Sequence, residues 1–224
     1  HTMSAVDLDT LYRGYDIRGA YPEQINEDAT YKIGRAVVDF TGAKHVVIGH
    51  DMRTSSKPLH DAMVRGILEQ GADVTSLGLA STSVVNVASS VMDADLFIVV
   101  TASHMPNGFN GIKLAERGQK VIYSQYGLPE IEALVEKNTF VAAVTPGALT
   151  EHDFLPEYHR LLAAKANLGD KKFKIALDPA NAMGIQDLPI YEALANNLEI
   201  VGRLYDEYDP ELPNHEANPI KPDT

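Results

Sequence analysis

Residues Asp95–Leu114 read DLFIVVTASHMPNGFNGIKL. The segment LFIVV, Leu96–Val100, is an unbroken apolar and β-branched run. Such a run, without polar alternation, predicts a strand covered on both faces, as in a parallel sheet. It leads directly into Ser103-His104 and a loop holding Pro106, Gly108, Asn110 and Gly111. In open α/β sheets, ligands bind beyond the carboxyl ends of the parallel strands. Ser103 falls just past such an end, where the glycines permit close approach of backbone to a ligand.

On the N-terminal side, HVVIGHD (His45–Asp51) is a second short apolar run that ends in polar residues. SSKPLHDAMVRGILEQG follows, with Leu59, Ala62, Met63, Ile67 and Leu68 on one helical face. Ser55 or Ser56 is placed to cap that helix, Pro58 suits its first turn, and Gly71 is placed to end it. DVTSLG predicts a strand and Val84–Ser90 a helix before the strand at Leu96. The alternation predicts an α/β fold with a mixed, mainly parallel sheet sandwiched by helices.

On the C-terminal side, GIKLAERGQKVI predicts a hairpin around Glu116-Arg117-Gly118, and a helix is expected from about Gln125 to Lys137. The small residues, Pro146 and Gly147 between Val141 and Asp153 mark a domain junction. Beyond it the pattern restarts: a helix over 154–166, the strand KFKIALD, a helix after Gly184 and the strand LEIVGRLYD. The division predicted is a first domain over 1–148 and a partial second domain over 149–224.

The chain has no cysteine, hence no disulfide framework and no thiolate chemistry. No leader pattern is present and no apolar run approaches the ~20 residues that span a bilayer. These features predict a cytoplasmic protein with no membrane partner. The formal net charge of −12 disfavours nucleic acid as a partner. An anionic ligand must therefore be gathered by a few local cations or backbone N–H groups.

Several residues can meet that need. RGYDIRG sets Arg13, Asp16 and Arg18 in a glycine-bracketed stretch before the first helix, where an arginine can offer a planar fork to a phosphate or carboxylate. Asp51, Arg53, Ser55 and Ser56 form either an anion cradle or a helix cap. Lys113 follows the serine loop, and Gly111 lets its strand approach closely. Ser103 lies in no G-x-S-x-G elbow. The histidines show no metal-binding spacing, and no dinucleotide or P-loop fingerprint occurs.

YDIRG (Tyr15–Gly19), TASHMPNGFNGIK (Thr101–Lys113), DPANAMG (Asp178–Gly184) and PNHEANP (Pro213–Pro219) together resemble the phosphohexomutases, and more narrowly the bacterial phosphomannomutase/phosphoglucomutase enzymes. The resemblance implies an enzyme that interconverts hexose 1-phosphate and hexose 6-phosphate through a phosphoserine and a bisphosphorylated sugar. It implies that Ser103 carries the phosphoryl group and that His104 is a general acid/base beside it. Arg18 and Lys113 would neutralise the phosphate in flight, and Tyr15 and Asn110 would support the loop as substrate-binding residues. It also implies Mg²⁺ bound through the phosphate on Ser103, a hexose 1,6-bisphosphate as intermediate and activator, and a phosphosugar partner.

The sequence departs from the family pattern at Met105, where asparagine is usual, at Phe109 in place of tyrosine, and at Ala182 in place of glycine. No aspartate-rich metal loop occurs before Thr224. The expectation is therefore an N-terminal portion of a mutase, inactive alone, with its remaining metal ligands and C-terminal domains elsewhere in the polypeptide. The alternatives are a non-catalytic phosphosugar-binding or interaction half-mutase, or a phosphoglucosamine mutase.

Overall fold

The computed structural model describes residues 11–216 and 218. The predicted strands fall where the sequence places them, β3 (His45–His50), β4 (Asp73–Leu79) and β5 (Leu96–Val100), with β5 buried throughout. β1 (Tyr12–Arg13), β2 (Asp16–Ala20), β6 (Phe109–Glu116), β7 (Lys120–Val121) and β8 (Leu149–Glu151) complete one sheet. Its order is β1-β2-β6-β5-β3-β4-β8, with β7 beside β6. β5, β3, β4 and β8 run parallel, while β2, β6 and β7 join antiparallel to their neighbours. The sheet is thus mixed, with a parallel core, and β6 is the return strand of the serine loop.

Helices α1 (Glu27–Thr41), α2 (Ser56–Glu69), α3 (Thr82–Val91) and α4 (Leu128–Lys137) cover this sheet. Ile33 and Val37 of α1, Met63 and Ile67 of α2 and Ile131 of α4 pack with Ile48, Ile98, Val100, Ile112 and Leu114 of the strands in the main core. On the opposite face Val85 of α3 lies with Phe97 and Val99. Asn26 caps α1 by accepting from Ala29 N–H at 3.0 Å. α1 and α2 approach at backbone distance because a Cβ on Gly66 would stand 2.2 Å from the Tyr31 carbonyl oxygen.

RGYDIRG lies before α1, as expected, and within it Asp16–Ala20 is a strand whose residues from Ile17 pair with Phe109–Ile112. Five residues with two charges carry too little apolar pattern to announce a strand, and pairing with β6 makes it one. α4 begins at Leu128, three residues after the predicted start, where Glu130 accepts from the Gly127 N–H.

The chain divides into two compact units: the described residues to Ser103 with Gly108–His152, and His104–Asn107 with the described residues from Asp153. The junction predicted at 148/149 differs from this division by four residues, because β8 pairs in parallel with β4. The second unit contains α5 (Leu155–Lys165), β9 (Phe173–Leu177), a 3-10 turn at Met183–Asp187, α6 (Leu188–Ala193) and β10 (Leu198–Arg203), with β9 and β10 parallel. Phe154 and Tyr158 are its most buried aromatic side chains, and the Tyr158 hydroxyl donates to Asp187 at 2.7 Å. The DPANAMG and PNHEANP motifs meet there: Asn214 Nδ2 donates to Asn181 Oδ1 at 2.7 Å, and His215 faces Asp178 at 3.1 Å. Residues 217 and 219 of that tail lie outside the described residues. Among the described residues no helix is long and apolar enough to cross a membrane.

Candidate active site

The carboxyl ends of the parallel strands come together through the Asp51 N–H, which donates to the Val100 carbonyl at 3.0 Å, and the Ala80 N–H, which donates to the His50 carbonyl at 2.9 Å. Ser103 sits three residues past the end of β5, exposed, with φ +56°. That left-handed conformation costs a non-glycine residue of the order of 1–3 kcal/mol unless its surroundings hold it. The Ser103 N–H donates to Thr101 Oγ1 at 3.0 Å, and its carbonyl accepts from Arg53 Nη2 at 3.3 Å. Both backbone groups of this serine are therefore held from below.

Asp51 is the hub of that support. Its Oδ2 accepts from the Thr101 hydroxyl at 2.7 Å, and its Oδ1 accepts from the Arg53 N–H at 3.0 Å and from the Ser56 hydroxyl. Arg53 Nε stands 3.6 Å from Asp51 Oδ2, with both side chains buried. Burial pushes the Arg53 guanidinium down from its usual value and the neighbouring Asp51 carboxylate pulls it back up. An arginine so paired keeps its charge.

Ser55 makes no side-chain cap bond to α2. Instead both serine hydroxyls accept from Asn110 Nδ2, at 2.8 and 2.9 Å, and Asn110 Oδ1 accepts from the Gly111 N–H. The Asp51–Ser56 segment, read from sequence as cradle or cap, is thus a buried hydrogen-bond hub beneath the serine loop. Asn110 is 0% exposed and engaged at both ends of its amide, which ties it into the support of the loop. At Gly111 a Cβ would meet the Ile17 carbonyl oxygen at 2.4 Å, which explains a glycine where β2, β5 and β6 converge.

Arg18 pairs across the sheet with Gly111, and Lys113 with Val99, which sets both cations at the Ser103 end of the antiparallel edge. Asp16, 5% exposed, receives both: Arg18 Nη2 at 2.8 Å and Lys113 Nζ at 3.0 Å reach the same oxygen, Oδ2. Two cations share one carboxylate, leaving a local excess of positive charge in a chain of net charge −12. Both side chains stay about 30% accessible and keep free N–H donors toward solvent. Arginine and lysine in that state suit a phosphate.

Tyr15 is 77% exposed and stacks on Tyr123 with ring centroids 6.2 Å apart, and it lines a cavity of about 320 Å³ with Lys113. His104 is exposed and counts with the second unit. Among the described residues no group of three or more His, Asp or Glu side chains can hold a metal ion. A Mg²⁺ carried by a Ser103 phosphate finds no such ligand group among the described residues. Thr101 is the supporting residue that sequence reading passed over. Its only signal is a hydroxyl placed where the apolar run ends, two residues before the serine.

The family described as phosphoglucomutase/phosphomannomutase, alpha/beta/alpha domain I, matches residues 9–142, more than half of the chain. A phosphomannomutase of Escherichia coli is 33% identical over 221 residues, covering 96% of this chain and 48% of that protein. A phosphoglucomutase of Neisseria gonorrhoeae is 31% identical over 225 residues, covering 99% and 47%. The crystal structure of a phosphoglucomutase/phosphomannomutase family protein from Burkholderia thailandensis superposes with a TM-score of 0.88 at 28% identity, over 98% of this chain and 48% of that one. The chain spans about half the length of these relatives. By its match to domain I, its similarity to these relatives and its fold, the chain belongs to the phosphoglucomutase/phosphomannomutase family.

Proposed function

We propose that Ser103 is the phosphoryl carrier of a phosphohexomutase that interconverts the 1- and 6-phosphates of mannose, glucose or both. The observation that carries this reading is the exposed serine, held at φ +56° past the end of β5, on a sheet edge that also bears the Arg18–Asp16–Lys113 cluster. Phosphoryl transfer needs positioning and cationic stabilisation of the equatorial oxygens more than it needs a strong base.

In the forward half-reaction a sugar hydroxyl oxygen bonds to the phosphorus on Ser103 and the bond from phosphorus to Oγ breaks. The hydroxyl proton passes to a base, for which His104 is the candidate, and the departing Oγ takes up a proton. The resulting bisphosphate turns over and returns its other phosphoryl group by the reverse step. Arg18 and Lys113 hold the transferring group, whose charge of roughly −1.5 to −2 at Ser103 must be met locally. Tyr15 and Asn110 serve the loop and its approach. The hexose 1,6-bisphosphate is the intermediate and the agent that reloads the serine, and Mg²⁺ supplies further charge neutralisation when bound.

Sustained mutase turnover belongs to a chain with the remaining length of the relatives, which supplies the metal ligands and the rest of the sugar site. Purified 224-residue chain, assayed with Mg²⁺ and a hexose 1-phosphate plus catalytic bisphosphate, is expected to show no steady turnover. Multiple turnovers per chain would contradict this division of labour. A second reading, a non-catalytic phosphosugar-binding half-mutase, is favoured by Met105 beside the serine and by the absence of a metal-ligand group among the described residues. It predicts binding of hexose phosphate by calorimetry without any transfer to Ser103.

A further inference from the structure

We infer that Asp51, Arg53 and Thr101 form a positioning relay that holds Ser103 in its left-handed backbone conformation and so presents its hydroxyl for phosphoryl transfer. This rests on the reading of Ser103 as the phosphoryl carrier, and extends it to three residues that touch no reacting atom.

The relay is a closed circuit around one residue. From the Ser103 N–H it runs to Thr101 Oγ1 at 3.0 Å, and from the Thr101 hydroxyl to Asp51 Oδ2 at 2.7 Å. From Asp51 it crosses to Arg53 through the 3.0 Å backbone bond and the 3.6 Å ion pair, and it returns from Arg53 Nη2 to the Ser103 carbonyl at 3.3 Å. Arg53 Nη1 also donates to the Phe109 carbonyl at 3.3 Å, so one guanidinium fork spans the two ends of the loop. Asp51, Arg53 and Thr101 are each less than 9% exposed.

A buried ion pair adds little net stability over apolar packing, because desolvation cancels most of its attraction. What this pair does add is direction. Together with Thr101 it fixes both peptide groups flanking a serine at φ +56°, a conformation the residue does not adopt by preference. Removing the Thr101 hydroxyl opens the circuit at two bonds, to Ser103 and to Asp51, leaving the Asp51–Arg53 pair and the apolar core in place. The serine then relaxes among backbone states, and only a fraction of the chains present Oγ productively. That loss acts on the transfer rate rather than on the fold.

The experiment compares wild type, Thr101→Val, Thr101→Ser and Arg53→Lys, each as the full 224-residue chain. Amide hydrogen exchange reads Ser103 against Val99 and Val100 of β5, the strand that precedes it. Intact mass spectrometry follows phosphate incorporation at Ser103 from glucose 1,6-bisphosphate over time. Thr101→Val is expected to speed exchange at Ser103 at least tenfold with Val99 and Val100 unchanged, and to slow loading at least tenfold. Thr101→Ser, which restores the hydroxyl, is expected to return both to within threefold of wild type. Arg53→Lys, which loses the fork but keeps the charge, is expected to slow loading as Thr101→Val does.

Wild-type loading by Thr101→Val, or unchanged exchange at Ser103 in that variant, overturns the relay. If Thr101→Val does not fold, Arg53→Lys decides by the same two readings. If wild type takes up no phosphate, the carrier reading fails, and the exchange comparison alone still decides whether the circuit holds Ser103.

Discussion

At the residue scale the site is governed by two backbone positions. Ser103 bears a left-handed φ that only its tethers explain, and Gly111 bears no side chain because three strands leave no room for one. Gly111→Ala pushes a methyl group against the Ile17 and Thr101 carbonyl oxygens, at 2.4 and 3.0 Å. Overpacking of this kind costs about 1–3 kcal/mol. Urea denaturation is expected to show a loss in that range, with the midpoint lowered and the slope unchanged; a variant as stable as wild type would refute the steric account. The placement of Ser103 past a strand end and of Gly111 at a close backbone approach was legible in the sequence, because an apolar run that stops at polar and glycine residues marks a strand end. Asp51, Arg53, Ser55 and Ser56 were visible as a polar cluster, but their role was not. Their partners, Thr101 and Asn110, lie some fifty residues away in the chain, and no local pattern links them.

Among the elements, those with a strong period were legible and those made by pairing were not. β3 and β5 follow from apolar runs, β4 from its place in the alternation, and α2 from one face of spaced apolar residues. β2 does not, since DIRGA owes its strand state to register with β6. The local energetics of α1 are testable at its cap. Asn26 accepts from the Ala29 N–H and donates to the Pro22 carbonyl at 3.2 Å. Asn26→Ala removes both and is expected to cost about 1 kcal/mol, near the centre of the range for a lost N-cap. Chemical denaturation measures it, and a loss under a few tenths of a kcal/mol would show that water replaces the cap.

A pH response belongs to the contact of α2 with β4. His60 is buried, with Nε2 3.0 Å from Ser76 Oγ and Nδ1 2.9 Å from Asp61 Oδ1. Burial pushes its pKa below the usual 6.5; Asp61 opposes that shift, and the His50 ring, 5.1 Å away, and Lys57 add to it. The folded state thus favours neutral imidazole, and the unfolded chain binds the proton more readily. By linkage, this stabilisation is complete above pH 6.5 and is lost as pH falls below 6.5 toward the folded value. The melting temperature of wild type is expected to drop between pH 7 and 5, and His60→Gln, which does not titrate, to flatten that part of the drop. Equal slopes in the two proteins would assign the effect to other groups.

For the whole molecule, the sequence conveyed the α/β architecture, the serine loop and the family, because all three rest on contiguous motifs. It also conveyed the strands of the second unit, where KFKIALD and LEIVGRLYD predict β9 and β10, but not that this parallel pair leaves its residues largely exposed. Parallel sheets are ordinarily buried on both faces, so pattern alone does not anticipate strands this open. In a chain of net charge −12, the Arg18–Asp16–Lys113 cluster is a local cationic excess at the same sheet edge as an exposed, tethered serine.

The most direct test of the phosphoryl-carrier claim is peptide-mapped intact mass spectrometry of the chain after incubation with glucose 1,6-bisphosphate and Mg²⁺, beside Ser103→Ala. The account predicts one added phosphate, localised to Ser103 within Thr101–Lys113, and none in the variant. Phosphate on another residue, or an unmodified wild-type chain under conditions that load a full-length relative, would contradict it.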